Sequence, residues 1–189
     1  MRALVISGGG SKGAFGGGVA QYLLHEKRCQ YDLLLGTSTG SLLIPHLALG
    51  NVEKIRKVYT EVAMHHIFDV NPFVVKHKND IDTVSINHLN VIMQFLKGRR
   101  TFGESQQLRH YIKDNFTLSE FNQLKMSKTN IVVTVTNLSR NEVEYKCIRD
   151  FDYDEFCDWI WISCNYIPFM TLATKEGSDY GDGGFSSLV

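Results

Sequence analysis

The residues whose types and spacing could do chemistry lie in three glycine-rich stretches. Gly8-Gly9-Gly10-Ser11-Lys12-Gly13 can turn the chain sharply and leave amides pointing outward, where a following helix dipole would help stabilise a negative oxygen. The same letters satisfy the dinucleotide pattern G-x-G-x-x-G, and a plain structural turn also accounts for them. Dinucleotide binding needs an acid at the end of the next strand. Asp32 has about the right separation, but it precedes Leu33-Leu34-Leu35, and Gly36-Thr37-Ser38 stands where the acid is required.

That second stretch, Gly36-Thr37-Ser38-Thr39-Gly40, is a G-x-S-x-G between an apolar run and a helical one. A turn so tight needs small residues on either side, and it presents the Ser38 hydroxyl for attack. The helix dipole would favour the developing alkoxide. Helix capping by Ser38 or Thr37 is the plainer alternative. A phosphate loop does not fit, because no lysine follows Gly40.

A nucleophilic serine needs a base. The usual order in such hydrolases is Ser, acid, His, but all seven histidines lie between positions 25 and 110 and none follows Asp182. A conventional triad is disfavoured. Asp182, in Asp182-Gly183-Gly184, is the best remaining acid; its glycines allow close approach to another loop, although the trio read alone is a turn.

The elements that must position these residues read as an alternation. Residues 3–6 form a short strand, 14–27 a helix despite three glycines, 33–35 a second strand and 41–50 a second helix. This is the α/β pattern with parallel strands. Residues 52–66 look helical, Asn71-Pro72 breaks the run, and the stretch to 85 has no clear period. Further helices are expected at 88–96, 107–116 and 118–124, and a hairpin from 130–136 and 143–148. No repeat or linker interrupts the 189 residues, so one domain over 1–189 is expected.

Composition narrows the partners. Twenty basic and twenty acidic residues give zero net charge, which leaves no electrostatic footprint for nucleic acid. The four cysteines show no metal spacing and no disulfide framework, so a reduced, cytoplasmic protein is expected. The apolar start, residues 3–6, is too short for a signal peptide or a bilayer span. A lipid substrate would then be met from the water side. Val91, Ile92, Met93, Phe95 and Leu96, followed by Lys97, Arg99 and Arg100, could form an interfacial helix. Core packing is the commoner fate of so short a run and is the expectation here.

Taken together, the three motifs resemble those of the patatin-like phospholipases. Ser163-Cys164-Asn165-Tyr166-Ile167-Pro168 resembles, more loosely, the segment that the family carries before its aspartate. The likeness runs from residue 3 to 184 and is weakest over 71–116. It implies a three-layer α/β/α fold with a mostly parallel central sheet. It also implies hydrolysis of acyl esters by a Ser-Asp dyad, with no metal and no cofactor.

Carried over residue by residue, Ser38 is the nucleophile and Asp182 its base. The loop Gly8, Gly9, Gly10, Ser11, Lys12 and Gly13 supplies the oxyanion hole, Gly36, Thr37, Thr39 and Gly40 shape the nucleophile's turn, and Gly183 and Gly184 form the aspartate loop. Lys12 stands where many members have arginine; it keeps the charge without the planar fork. The implied partner is a phospholipid or other acyl lipid, with transient contact at a membrane surface; oligomeric state is left open. Family domains usually continue past this point, which leaves open whether C-terminal residues are missing and sets the aspartate loop near a terminus that could fray. Two other readings stand beside this one: a catalytically silent lipid-binding module, and a nucleotide-binding oxidoreductase.

Overall fold

A computed structural model of the chain describes residues 1–78 and 81–186; the last three positions of the expected domain, 187–189, lie outside it. In chain order the elements are β1 (Ala3–Ile6), α1 (Gly13–Gln21), β2 (Leu33–Thr37), α2 (Thr39–Leu49), α3 (Val52–Glu61), α4 (Met64–Ile67), β3 (Phe73–Lys78) and β4 (Ile81–Ile86). They continue with α5 (His88–Leu96), α6 (Gln106–Asn115), α7 (Leu118–Lys125), β5 (Asn130–Asn137), β6 (Glu142–Cys147), α8 (Tyr153–Ser163), β7 (Ala173–Lys175) and β8 (Ser178–Asp182).

The fold is mixed α/β around a six-stranded sheet. β1, β2 and β5 pair in parallel, as apolar strands separated by helices should. β6 and β8 run antiparallel to β5, and β7 antiparallel to β8, so four of the six strands share one direction. The register of β5 positions the site. Its Thr134 pairs with Thr37 at the end of β2, and its next residue, Val135, pairs with Asp182 at the end of β8. β2 and β8 therefore approach along one edge of β5 from opposite directions, and their C-terminal ends meet.

Alternate residues of the strands face one core: Leu34, Ile131, Val133 and Val135 are almost fully buried, with Ile44 and Leu47 of α2 and Phe156 and Ile160 of α8. α3 and α7 lie against α2, and α6 lies against α8 and α4. Burying such side chains contributes about 1.5–3 kcal/mol each.

The expected helices and the 130–148 hairpin are present, but the 14–27 helix turns from α to π at Tyr22 and the 52–66 run is two helices, α3 and α4, rather than one. Five elements run against the sequence reading: α8, β7, β8 and the pair β3 and β4. α8 exposes Asp154 and Glu155 in its first turn but buries every residue from Trp159 to Ser163, so its C-terminal half lacks the one-sided stripe that signals a surface helix. β7 and β8 are too short and too mixed in composition to read as strands. The aperiodic stretch before residue 86 is a hairpin, β3 paired with β4, exposed along most of β4; with no face to bury, its sequence carries no alternation. α5 is present but its sides are reversed: Gln94 is 2% exposed, while Ile92, Met93, Phe95 and Leu96 are each more than half exposed. Core packing is therefore not what this run does.

Candidate active site

Ser38 sits between β2 and α2 with φ 54° and ψ −124°, a left-handed conformation that a non-glycine residue reaches only under strain. Such strain costs on the order of 1–3 kcal/mol and persists because its surroundings fix it. Here the surroundings are hydrogen bonds. The Ser38 amide donates to Ser163 Oγ at 2.9 Å. Its carbonyl accepts from the Ser41 amide at 2.8 Å, Ser41 Oγ at 2.5 Å and Cys164 Sγ at 3.2 Å. Burial pushes the Cys164 thiol pKa up, so the sulfur stays a donor.

Close packing explains the glycines. A Cβ on Gly40 would run into the Ile6 carbonyl of β1, and a Cβ on Gly8 would come to 2.6 Å from Ser38 Cβ. The first glycine loop is thus pressed directly against the serine. Gly8, Gly9, Gly10 and Ser11 share a cavity wall with Ser38 and Thr39. Lys12 and Gly13 stand outside that wall; Gly13 fills the contact of α1 with Thr39 and the Tyr59 hydroxyl. Gly36 and Thr37 lie beneath, with Thr37 Oγ1 2.6 Å from Thr134 Oγ1.

Asp182 lines the same cavity and is 4% exposed. Its amide donates to the Asn165 carbonyl at 2.9 Å, and its own carbonyl accepts from Thr136 Oγ1 at 2.8 Å. The carboxylate accepts from the Gly184 amide at 2.8 Å. Burial raises the Asp182 pKa above the ordinary aspartate value, and the nearby Ser38 hydroxyl and the hydrogen-bonded Gly184 amide pull it partly back. The Ser38 hydroxyl is close enough to exert that pull, yet the pair makes no hydrogen bond of ordinary length and angle. Catalytic pairs are often this loose before substrate arrives. Gly183 packs on Thr134 and Gly184 lines the cavity.

Ser163 and Asn165, quoted above only for a loose likeness, support the serine turn and the aspartate respectively. Asn165 is in turn held by Ser105, whose Oγ donates to Asn165 Oδ1 at 2.8 Å. Ser105, Thr134 and Thr136 gave no signal in the sequence, since a buried small polar residue leaves no periodic mark.

From Ser38 and Asp182 the cavity, about 850 Å³, runs inward between α2, α3 and α6. Leu42, Val58, Leu108, Ile112 and Phe116 make its wall apolar. The imidazole of His46 also lines it; burial lowers its pKa to about 4, so it is neutral there. A long apolar chain fits such a space, with its reacting end beside the hydroxyl and carboxylate. Among the described residues no cluster of three or more His, Cys, Asp or Glu is arranged to hold a metal ion. Asp32 lies just before β2, at the opposite end of the strands from the glycine loop, and bonds the Arg2 amide. It cannot serve a nucleotide ribose at that loop.

The model of the patatin-like phospholipase family matches residues 4–189. A cUMP-AMP-activated phospholipase from Escherichia coli is 38% identical over 65 residues, which are 32% of this chain and 20% of that protein. The crystal structure of VipD from Legionella pneumophila aligns with a TM-score of 0.63 at 16% identity, over 98% of this chain and 46% of that one. The chain thus spans less than half the length of either.

Proposed function

The chain belongs to the patatin-like phospholipase family, and on that premise we propose that it hydrolyses fatty-acyl esters of lipids, with Ser38 as nucleophile and Asp182 as base. One observation carries the reading: the hydroxyl, the carboxylate and the Gly8–Gly10 loop share one end of a deep apolar cavity.

Asp182 takes the hydroxyl proton as Ser38 Oγ attacks the acyl carbonyl carbon. The oxyanion of the tetrahedral intermediate lies against the amides of Gly9 and Gly10, each such donor contributing about 3 kcal/mol in comparable sites. Collapse expels the alcohol, which leaves with the proton held by Asp182. Water then gives a proton to Asp182, attacks the acyl-serine carbonyl and releases the fatty acid and free Ser38. A raised aspartate pKa suits this base, since proton transfer is fastest when donor and acceptor are better matched. No step calls for a metal or a cofactor.

Incubation with mixed phospholipid vesicles, followed by mass spectrometry of the released products, tests the proposal. Wild type should release fatty acid and react with a fluorophosphonate probe at Ser38. Ser38→Ala should do neither while melting at an unchanged temperature. Near-wild-type release by Ser38→Ala would end it.

A further inference from the structure

α5 buries the wrong side of itself. Gln94 is almost completely enclosed, and neither its Nε2 nor its Oε1 finds a partner among the described residues. Leu89 and Leu96 are each 76% exposed, and Ile92, Met93 and Phe95 are about half exposed. A helix that pays for a buried, unbonded amide while offering five large apolar side chains to water is matched to a surface that is not water. The hairpin that precedes it continues the character: Val75 and Val84 pair across the strands and both are exposed.

The patch is joined to the cavity. Phe95 packs edge-on against Phe102 at 6.0 Å, Phe102 against Phe169 at 5.7 Å, and Phe169 stacks on Tyr166 at 6.2 Å. Tyr166, half exposed, lines the cavity itself, and Met64 at its rim is also exposed. Just past the same, C-terminal end of α5, exposed Lys97, Arg99 and Arg100 form a basic border. Arg99 and Arg100 also reach Glu104 at 2.9 Å and Asp179 at 2.7 Å, which fixes the exit of the helix to the body of the domain. Among the described residues no helix is long and apolar enough to cross a membrane.

We infer that α5 and the β3–β4 hairpin are the face by which the protein docks on a phospholipid bilayer, the apolar side chains entering the acyl region and the basic border meeting headgroup phosphates. The aromatic series from Phe95 to Tyr166 then gives a lipid an apolar route from bilayer to cavity. The identity of the occupant rests on the proposed lipid substrate; the exposed face does not.

The test separates the two. Ser38→Ala protein is sedimented with vesicles of ether-linked phosphatidylcholine and phosphatidylglycerol, which offer no ester to cut. It should pellet with them, and a form also carrying Leu89→Ser, Ile92→Ser and Leu96→Ser should bind roughly tenfold more weakly or worse. With Ser38 intact, the same triple variant should lose vesicle hydrolysis but hydrolyse a soluble short-chain ester within about twofold of wild type, as surface changes do. Equal pelleting with and without the three substitutions would overturn the inference. So would a Ser38→Ala protein that is dimeric in solution and becomes monomeric on substitution, since the face would then be covered by a second copy. Patch-dependent pelleting by a chain that cleaves no ester would leave the docking face standing and remove the enzyme reading instead.

Discussion

Holding a carboxylate away from solvent raises its affinity for a proton and costs the fold. Asp182 is buried and its pKa is raised for that reason. In the unfolded chain the same group ionises at the ordinary value, about 3.9. Between the two values the folded state holds a proton that the unfolded state has lost. Above the raised value the folded state carries the whole penalty of a buried charge, so the penalty is present at neutrality and disappears below the ordinary pKa. Asp182→Asn keeps an oxygen for the Gly184 amide and removes the charge. It should melt above wild type near neutral pH, with the gap closing as pH falls toward 4, and should hydrolyse no ester. Wild-type activity should fall on acidification with a midpoint above the ordinary aspartate value. Calorimetry across that range checks the first claim; a lower melting temperature for Asp182→Asn at neutrality would count against it.

The turn after β2 works because elements lie almost in backbone contact. Gly40 begins α2 against the carbonyl of Ile6, so Gly40→Ala cannot be accommodated by a side-chain shift. It should cost about 1–3 kcal/mol, as overpacking does, and displace the serine. Gly18, exposed on α1 with open space where a Cβ would go, is the contrast: Gly18→Ala should stabilise by roughly 0.5–1 kcal/mol. Denaturant midpoints of the two variants, with ester hydrolysis, check both. The same contrast marks how far the sequence could be read. β1, β2 and their turns were legible because short apolar runs ending in glycine clusters have few other uses. Ser38 and Asp182 were legible by type and order. α8 was not, since a half-helix buried on every side, Trp159 to Ser163, has no stripe, and neither were Ser163 and Asn165, whose roles exist only through contacts with distant residues. The one-sidedness of α5 was visible, but periodicity says only that a helix has two faces, not which of them the protein buries.

At the scale of the whole molecule, the cavity is a core left partly unfilled between α2, α3 and α6. Close packing is the rule in interiors, and a void this large forgoes contacts that an apolar guest would restore. A long-chain fatty acid at about a hundred times its Kd should stabilise the chain by about 2.7 kcal/mol. For a domain of this size that is a rise in Tm of roughly 5–10 °C. Ile112→Trp, which narrows the void, should weaken the response, most for the longest chains; melting curves unmoved by fatty acids of any length would refute the prediction. The edge of β5 has a consequence of its own. Thr134 and Val135 hold the ends of two strands far apart in the sequence, β2 at Leu33–Thr37 and β8 at Ser178–Asp182. Until the later one docks, a nascent or partly opened molecule holds Ser38 without Asp182, the base proposed for it. On the proposed mechanism, the order of strand docking would act as a safety catch: a copy whose last strand has not yet docked would meet a membrane without digesting it.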